Sequence, residues 1–373
     1  MIERAYSLEK LIKPGKVLVL YGPRRVGKTT LLNHFLAGTK LKYKLDSGDN
    51  IRTQQTLSSR DFTTITEYAL GYDLVAIDEA QQIPDIGMGL KIIVDQMPNV
   101  AVIATGSSSF ELAGAVGEPL TGRKTTLILY PISQQELSSI HNRHELKELL
   151  EEFLVFGSYP EVVTAKSRKD KIVILEELVD SYLLKDVLTL DRIKNPRVLL
   201  DLLKLIAFQV GGQVSLNELA TQLRIDVKTV GRYLDILEKA FVIRRINGFS
   251  RNLRKEIVSK AKYYFWDNGI RNAVISQFNR LDSRNDAGIL WENFMVTERI
   301  KKCSYQEIRG SFYFWRTYDG QELDLVEERE GRLYGYEFKW SQKKTKAPDA
   351  WIETYGNAGL EIINSKNYLD FVT

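Results

Sequence analysis

An α/β fold in four segments is what the sequence predicts, and three observations predict it. Within residues 1–135 short apolar runs alternate with helical periodicity, the pattern of a parallel sheet with crossover helices. From 136 to 210 the strand patterns stop, and apolar residues recur only at helical spacing. After 211 strands return, first around a pair of short helices up to 268 and then, over 269–373, behind one long helix. The 373 residues suffice for two to three cores, and 44% hydrophobic with 27% charged residues is an ordinary globular balance.

The first element is the strand Val17-Leu18-Val19-Leu20-Tyr21. It runs directly into Gly22-Pro23-Arg24-Arg25-Val26-Gly27-Lys28-Thr29-Thr30, an intact phosphate-binding loop. Gly22 and Gly27 let successive backbone N–H groups turn toward an anion with no side chain in the way. The helix that follows, with Leu31, Leu32 and Phe35 on its apolar face, points the positive end of its dipole at the same anion. Lys28 supplies a point charge for β- and γ-phosphates, and Thr29 a hydroxyl for Mg²⁺. Pro23, Arg24, Arg25, Val26 and Thr30 are nucleotide contacts by their place in the loop, with no separate role for the two arginines.

A second strand, Leu74-Val75-Ala76-Ile77, ends in Asp78-Glu79, the Walker B pattern. Asp78 is placed to hold the hydration shell of Mg²⁺, and Glu79 to orient the attacking water. Phosphoryl transfer to water needs positioning and charge stabilisation more than covalent help. A third strand, Val100 to Ala104, leads into Thr105-Gly106-Ser107-Ser108-Ser109. Thr105, at the C-terminal edge where ligands of open α/β sheets sit, is a candidate γ-phosphate sensor; the alternative is a small-residue turn. Thr121-Gly122-Arg123 follows. Arg123 is a candidate arginine finger for its own γ-phosphate or a neighbouring subunit's, or else a surface ion pair. No Asn-Lys-x-Asp element that reads guanine is present, so ATP is favoured over GTP.

Between Pro131 and Gly211 the sets Leu149-Leu150-Phe153-Leu154, Ile174-Leu175-Leu178-Tyr182 and Leu199-Leu202-Leu203-Ile206 read as a helical lid. The loop Phe156-Gly157-Ser158-Tyr159-Pro160-Glu161 breaks it. Val214 to Ile246 has the grammar of a winged helix-turn-helix. Ser215 and Glu218 form a capping box on a helix whose apolar face is Leu216, Leu219, Ala220 and Leu223. After Arg224-Ile225-Asp226 a second helix turns Val230, Leu234 and Leu237 inward. That leaves Lys228, Thr229, Arg232 and Tyr233 outward. Phe241-Val242-Ile243 opens a strand, and the wing lies in Arg244, Arg245, Arg251, Arg254, Lys255, Lys260 and Lys262, opposed only by Glu256. Such a helix reads a major groove while basic side chains hold phosphates, although winged helices also bind protein.

In the last segment a helix from Asn285 to Cys303 carries Trp291, Phe294 and Val296, with Glu292 and Glu298 among them. Three strand-like runs follow: Ser311–Arg316, Glu322–Val326 and Leu333–Trp340. Strand period puts Glu337 and Lys339 on one side, with Asp324 facing them from the neighbouring strand. Glu298, Asp324, Glu337 and Lys339 are the candidate residues of a nuclease-like site. There carboxylates bind Mg²⁺ and a lysine assists the water or the developing charge. The alternative is a nuclease fold that binds DNA without cutting it, or plain edge-strand charges.

A net charge of +4 is too small to demand a nucleic-acid partner by itself. No apolar run reaches the roughly 20 residues a bilayer crossing needs. No signal-peptide pattern precedes the first strand, and Cys303 is the only cysteine, which excludes a disulfide framework and points to a reducing cytoplasm. His34, His141 and His144 form no metal or catalytic cluster.

Taken together, the chain resembles the AAA-type P-loop ATPases of archaea and bacteria that join a winged helix to a C-terminal restriction-endonuclease-like, PD-(D/E)xK domain. The resemblance rests on Gly22–Thr30, Ile77-Asp78-Glu79-Ala80-Gln81, Thr105-Gly106-Ser107-Ser108, Gly122-Arg123 and Tyr159-Pro160-Glu161. It continues in Trp266-Asp267-Asn268-Gly269, Trp291-Glu292-Asn293-Phe294, Arg316-Thr317, Glu322-Leu323-Asp324 and Glu337-x-Lys339. It implies an AAA-type domain over 1–135, a helical lid over 136–210, a winged helix-turn-helix over 211–268 and a nuclease-like α/β domain over 269–373. It also implies ATP hydrolysis with Mg²⁺ and binding to DNA, branched or junction DNA included; a homo-oligomer is a further expectation for an ATPase of this type, and the lack of a long apolar run argues against a membrane partner. An ATP-controlled nuclease and an ATP-driven signalling switch whose winged helix binds protein are the rival readings.

Overall fold

The computed structural model describes residues 2–107, 119–180, 195–250, 260–317, 320–340, 348–355 and 358–373. They form two compact units, one of Arg4–Tyr130 with Lys239–Phe241, the other chiefly of Pro131–Glu238 and Val242–Thr373.

The first unit begins with α1 (Leu8–Leu11) and β1 (Val17–Tyr21). It continues through α2 (Lys28–Gly38), β2 (Tyr43–Ser47), α3 (Ile51–Ser58), α4 (Phe62–Ala69) and β3 (Leu74–Asp78). After a 3₁₀ turn at Ala80–Gln82 come α5 (Ile86–Gln96), β4 (Ala101–Gly106) and β5 (Lys124–Ile128). The strands make one parallel five-stranded sheet in the order β2-β3-β4-β1-β5. Strands covered on both faces must be apolar throughout, and every residue of β1 and β4 is buried. Val17, Val19, Ile77, Leu90, Ile93 and Val102 anchor the core. Asn50 and Asp61 cap α3 and α4 by accepting the Arg52 and Thr64 N–H groups at 2.9 and 2.6 Å.

The second unit opens with α6 (Gln134–Leu137), α7 (Arg143–Glu148), α8 (Leu150–Phe156), α9 (Pro160–Thr164) and α10 (Arg168–Leu178). Next stand α11 (Pro196–Phe208), β6 (Gln213–Val214), α12 (Leu216–Leu223), α13 (Val227–Lys239), β7 (Ile243–Gly248) and β8 (Ala261–Phe265). The chain ends with α14 (Asn268–Val274), α15 (Ala287–Tyr305), β9 (Ser311–Arg316), β10 (Glu322–Arg329), β11 (Arg332–Lys339), α16 (Asp349–Thr354), β12 (Gly359–Asn364) and α17 (Tyr368–Val372).

The described strands of this unit share one seven-stranded sheet, β12-β11-β10-β9-β7-β8-β6. The joint between its halves is a short parallel pairing of β7 with β9, Asn247 opposite Tyr313 and Gly248 opposite Phe314. Pairing is antiparallel over β9-β10-β11 and parallel from β11 to β12. The helix α15 is buried nearly all round, which its composition accommodates by pairing each buried charge. Arg299 meets Glu327 at 2.6 Å and the Phe371 carbonyl at 2.8 Å, and Lys301 meets Glu298 at 2.7 Å.

Gly157, expected in a loop, has φ +72° and ends α8. A Cβ there would lie 1.9 Å from Asp267 Oδ1. Asp267 in turn accepts the Ser158 N–H at 2.7 Å and the Ile270 N–H at 3.1 Å. The Gly157-Ser158 and Asp267-Asn268-Gly269 segments are thus two halves of one buried lock.

Candidate functional site

The C-terminal ends of β1, β3 and β4 meet at one point. Register puts Leu20 opposite Thr105 and Ile77 opposite Ala104, so the loop after β1, Asp78 and Thr105 are neighbours. Thr29 donates its hydroxyl to Asp78 Oδ2 at 2.9 Å, and Thr105 donates to Asp78 Oδ1. The two oxygens of one carboxylate are therefore held by the residues expected to serve the metal and the γ-phosphate. Lys28 is 6% exposed and donates to the carbonyls of Gly22 and Pro23 at 3.0 and 2.8 Å. Burial lowers its pKa to about 8, although Glu79 and Asp78 pull it upward. Glu79 stands in the left-handed region at φ 49° and is held by the Gln81 amide.

The backbone of the loop follows the same logic. Gly22 takes φ +146°, and a Cβ there would lie 2.1 Å from the Leu129 carbonyl oxygen. Gly27, at φ +94°, starts α2. Arg25 also has a positive φ and is exposed, Arg24 is half-buried, and Thr29 and Thr30 lie on the exposed side of the first turn of α2. Pro23 and Val26 are buried.

Arg123 takes the surface ion-pair alternative. It lies just before β5, and the Val17 N–H donates to its carbonyl at 2.9 Å. Since β1 and β5 are parallel, this is the N-terminal edge of the sheet, and β1 rises about 13 Å before the phosphate loop begins. The Arg123 guanidinium pairs instead with Asp95, at the end of α5. It cannot be a finger for its own nucleotide. An arginine that does reach the loop is Arg4, which donates to the carbonyls of Val26 and Tyr130. No spacing signal marked it. Gly48 was missed as well: its N–H donates to the Asp78 carbonyl at 2.7 Å, and a Cβ would lie 2.2 Å from the Glu79 carbonyl oxygen.

In the second unit, Asp324, Glu337 and Lys339 come together. A register shift between Leu323 and Val326 lets Asp324 Oδ2 accept the Phe338 N–H at 2.7 Å. Lys339 pairs with Glu337. Glu298 does not join them. It accepts the Gln134 N–H at 2.6 Å and pairs with Lys301, on another face of α15. The acid that α15 does contribute is Glu292, six residues earlier on this helix of 3.6-residue period. Glu292 accepts from the Tyr264 hydroxyl at 2.7 Å and from Lys262 at 3.3 Å, and Lys262 also pairs with Glu322. Burial, then Glu292, then Glu337 raise Asp324 well above the usual carboxylate range, and burial raises Glu292.

Comparison with known proteins assigns residues 14–138 to the AAA domain family. The first unit is thus similar to AAA-type P-loop domains. Residues 147–281 and 287–365 match two domains of unknown function, DUF8612 and DUF4143. An uncharacterized protein of Mycobacterium tuberculosis is 28% identical over 350 residues, covering 91% of this chain and 74% of that protein. Uncharacterized proteins of Haemophilus influenzae and Methanocaldococcus jannaschii are 26% and 25% identical, covering 87% and 96% of this chain and 84% and 86% of theirs. Among solved structures, a STAND (signal transduction ATPase with numerous domains) protein with a tetratricopeptide repeat sensor from Pyrococcus horikoshii is 14% identical, with TM-score 0.29. It covers 77% of this chain and 43% of its own. The replication initiator DnaA bound to AMPPCP and single-stranded DNA is 16% identical over 61% of this chain and 83% of its own, with TM-score 0.28. Likeness at that level carries neither fold nor function.

Beyond the AAA domain, the residues expected to touch DNA divide. Lys228 and Arg232 are exposed on α13 and Thr229 is half-buried between them. Tyr233, expected outward, is buried at 3% exposure and packs in the core beside Leu234. Arg245 is exposed, with its guanidinium on Asn247 Oδ1 at 3.0 Å, and Arg244 lies 3.5 Å from Glu238. Lys262, counted with the basic surface, is buried in the carboxylate cluster. Arg251, Arg254 and Lys255 lie outside the described residues. No helix among the described residues is long and apolar enough to cross a membrane.

Proposed function

We propose that the protein is a Mg²⁺-dependent ATPase that binds DNA through α13 and the β7–β8 arm, with ATP and DNA biasing one conformational equilibrium. The observation that carries the ATPase reading is the convergence of Lys28, Thr29, Asp78 and Thr105 at the sheet edge, with Glu79 one residue beyond Asp78. Asp78 and Thr29 are the residues to hold Mg²⁺, which supplies charge neutralisation at the β- and γ-phosphates. Glu79 is the residue to orient water, and Thr105 couples the metal carboxylate to the strand beside it.

The helix–strand–helix–helix–strand–strand order of α11, β6, α12, α13, β7 and β8 supports a winged helix. The helix–three strands–helix–strand order of α15, β9–β11, α16 and β12 supports a nuclease-like fold. Exposed Lys228, Arg232 and Arg245 support a phosphate-binding face.

The test is Mg²⁺-dependent turnover with no DNA, duplex, single strand and four-way junction, with DNA integrity followed in the same tubes. Expected are turnover lost in Lys28→Ala, a rate altered by at least one DNA form, and DNA left intact. Parent-like turnover in Lys28→Ala removes the ATPase assignment. Absence of binding to every DNA form removes the DNA reading.

A further inference from the structure

The carboxylates of the second unit invite a divalent metal, and the residues present do not fit one. Lys262 rises from β8, crosses the Phe314 ring with its ammonium 5.3 Å from the centroid, and ends 1% exposed between Glu292 and Glu322. Asp324 is close enough to act on its charge. On the far side Lys339 covers Glu337, and Arg316 lies 3.6 Å from Glu322. Four acids thus face three cations. Among the described residues no group of three or more His, Cys, Asp or Glu side chains is arranged to hold a metal ion.

We propose that Lys262 is the resident cation of the Glu292–Glu322–Asp324–Glu337 cluster, standing where the nuclease-like resemblance puts a divalent metal, so that the chain takes no metal there and does not cut DNA. A dication entering beside a buried ammonium that two carboxylates hold meets like-charge repulsion in a low-dielectric place. Burial by itself lowers the Lys262 pKa, but Glu292, Asp324 and Glu322 more than offset this, and the direction is upward from 10.5. Glu337 Oε2 is buried with no hydrogen-bond partner. It is the oxygen a metal would use once the ammonium is gone. The basic run from Arg244 to Lys262 therefore ends in a residue that serves the interior, not a DNA backbone.

The test uses the full chain without nucleotide and Mn²⁺ as probe, read by electron paramagnetic resonance. Asp78→Asn is present throughout to silence the phosphate-loop site. The otherwise parent protein is expected to bind no Mn²⁺ at the cluster. Lys262→Met with Glu322→Gln, which removes one charge of each sign and leaves the net charge unchanged, is expected to gain one site, tighter by at least about a hundredfold and lost again on adding Glu337→Gln. Two results overturn the proposal: Mn²⁺ bound by the otherwise parent protein and released by Glu337→Gln, or a folded double variant that gains nothing. If the double variant does not fold by circular dichroism, Lys262→Gln is read in the same way. The parent measurement decides if neither folds. ATP turnover enters none of these outcomes, so the proposal and the ATPase reading fail separately.

Discussion

The pH dependence of nucleotide binding follows from Lys28. Lys28 is buried and its ammonium donates to the carbonyls of Gly22 and Pro23, and burial brings its pKa to about 8. A triphosphate placed against it raises that pKa far above 8, because four negative charges replace two dipoles. Binding thus selects the protonated lysine. Affinity is full well below pH 8 and falls as pH rises through 8 toward the pKa of the bound state. With a free pKa of about 8, a tenth of the loops are ready at pH 9, a loss of about tenfold or 1.4 kcal/mol relative to pH 7. At pH 8 each binding event takes up about half a proton. The unliganded fold behaves oppositely. Since the unfolded lysine keeps its proton to 10.5, this group adds stability as pH rises from about 8 to 10.5. The assay is calorimetric titration with a non-hydrolysable ATP analogue from pH 7.5 to 9.5, in two buffers of different ionisation enthalpy. Lys28→Arg, whose charge does not titrate, is expected to bind with a flat pH profile. Constant parent affinity across that range without proton uptake would refute the reasoning, as would a Lys28→Arg profile parallel to the parent's.

Glu79→Gln is expected to keep ATP affinity within about twofold and to lose at least about a hundredfold in turnover, because only water orientation is damaged; a coupled phosphate assay decides. Gly48→Ala forces a methyl against the Glu79 carbonyl, where only 2.2 Å is open. A loss of about 1–3 kcal/mol in thermal unfolding together with reduced turnover is expected, and unchanged turnover would argue against a tight Walker B turn. Arg123→Ala removes a partly exposed pair with Asp95 and is expected to cost at most about 1 kcal/mol, with turnover intact. A collapse of turnover at low protein concentration would reinstate it near the nucleotide. Lys228→Glu with Arg232→Glu is expected to weaken DNA binding for all sequences alike and to reduce the slope of log affinity on log salt by about 0.9 per lost phosphate contact. An unchanged slope would move the DNA face elsewhere.

The parts of the AAA domain that were legible in the sequence share a physical reason. A parallel strand covered on both faces is apolar without interruption, and Val17–Tyr21 and Leu74–Ile77 stand out for that reason. The phosphate loop is contiguous, so its chemistry is local. The place of Arg123 was hidden because β5 starts with three exposed residues, Lys124, Thr125 and Thr126, and does not read as a strand. Without β5 the parallel register that carries Arg123 to the far edge is invisible. Glu298 and Glu292 share a helix buried nearly all round, so no periodicity separates the face toward the carboxylates from the face toward Gln134. Lys262 looked like surface because its partners stand 30 and 60 residues downstream, at Glu292 and Glu322.

Lys28 and Lys262 are buried lysines in two different polar clusters. Both Lys28 and Lys262 lose their hydration to burial, yet their pKa values move in opposite directions. Around Lys28 the acids are spoken for, Asp78 by the hydroxyls of Thr29 and Thr105 and Glu79 by the Gln81 amide. Its ammonium donates to the carbonyl dipoles of Gly22 and Pro23. Around Lys262 the Glu292 and Glu322 carboxylates touch the ammonium directly, so its charge is answered from within the chain. A phosphate brought to Lys28 relieves a desolvation cost, whereas a metal brought to Lys262 creates a repulsion. The contacts account for the opposite directions: carbonyl dipoles at Lys28, two carboxylates at Lys262.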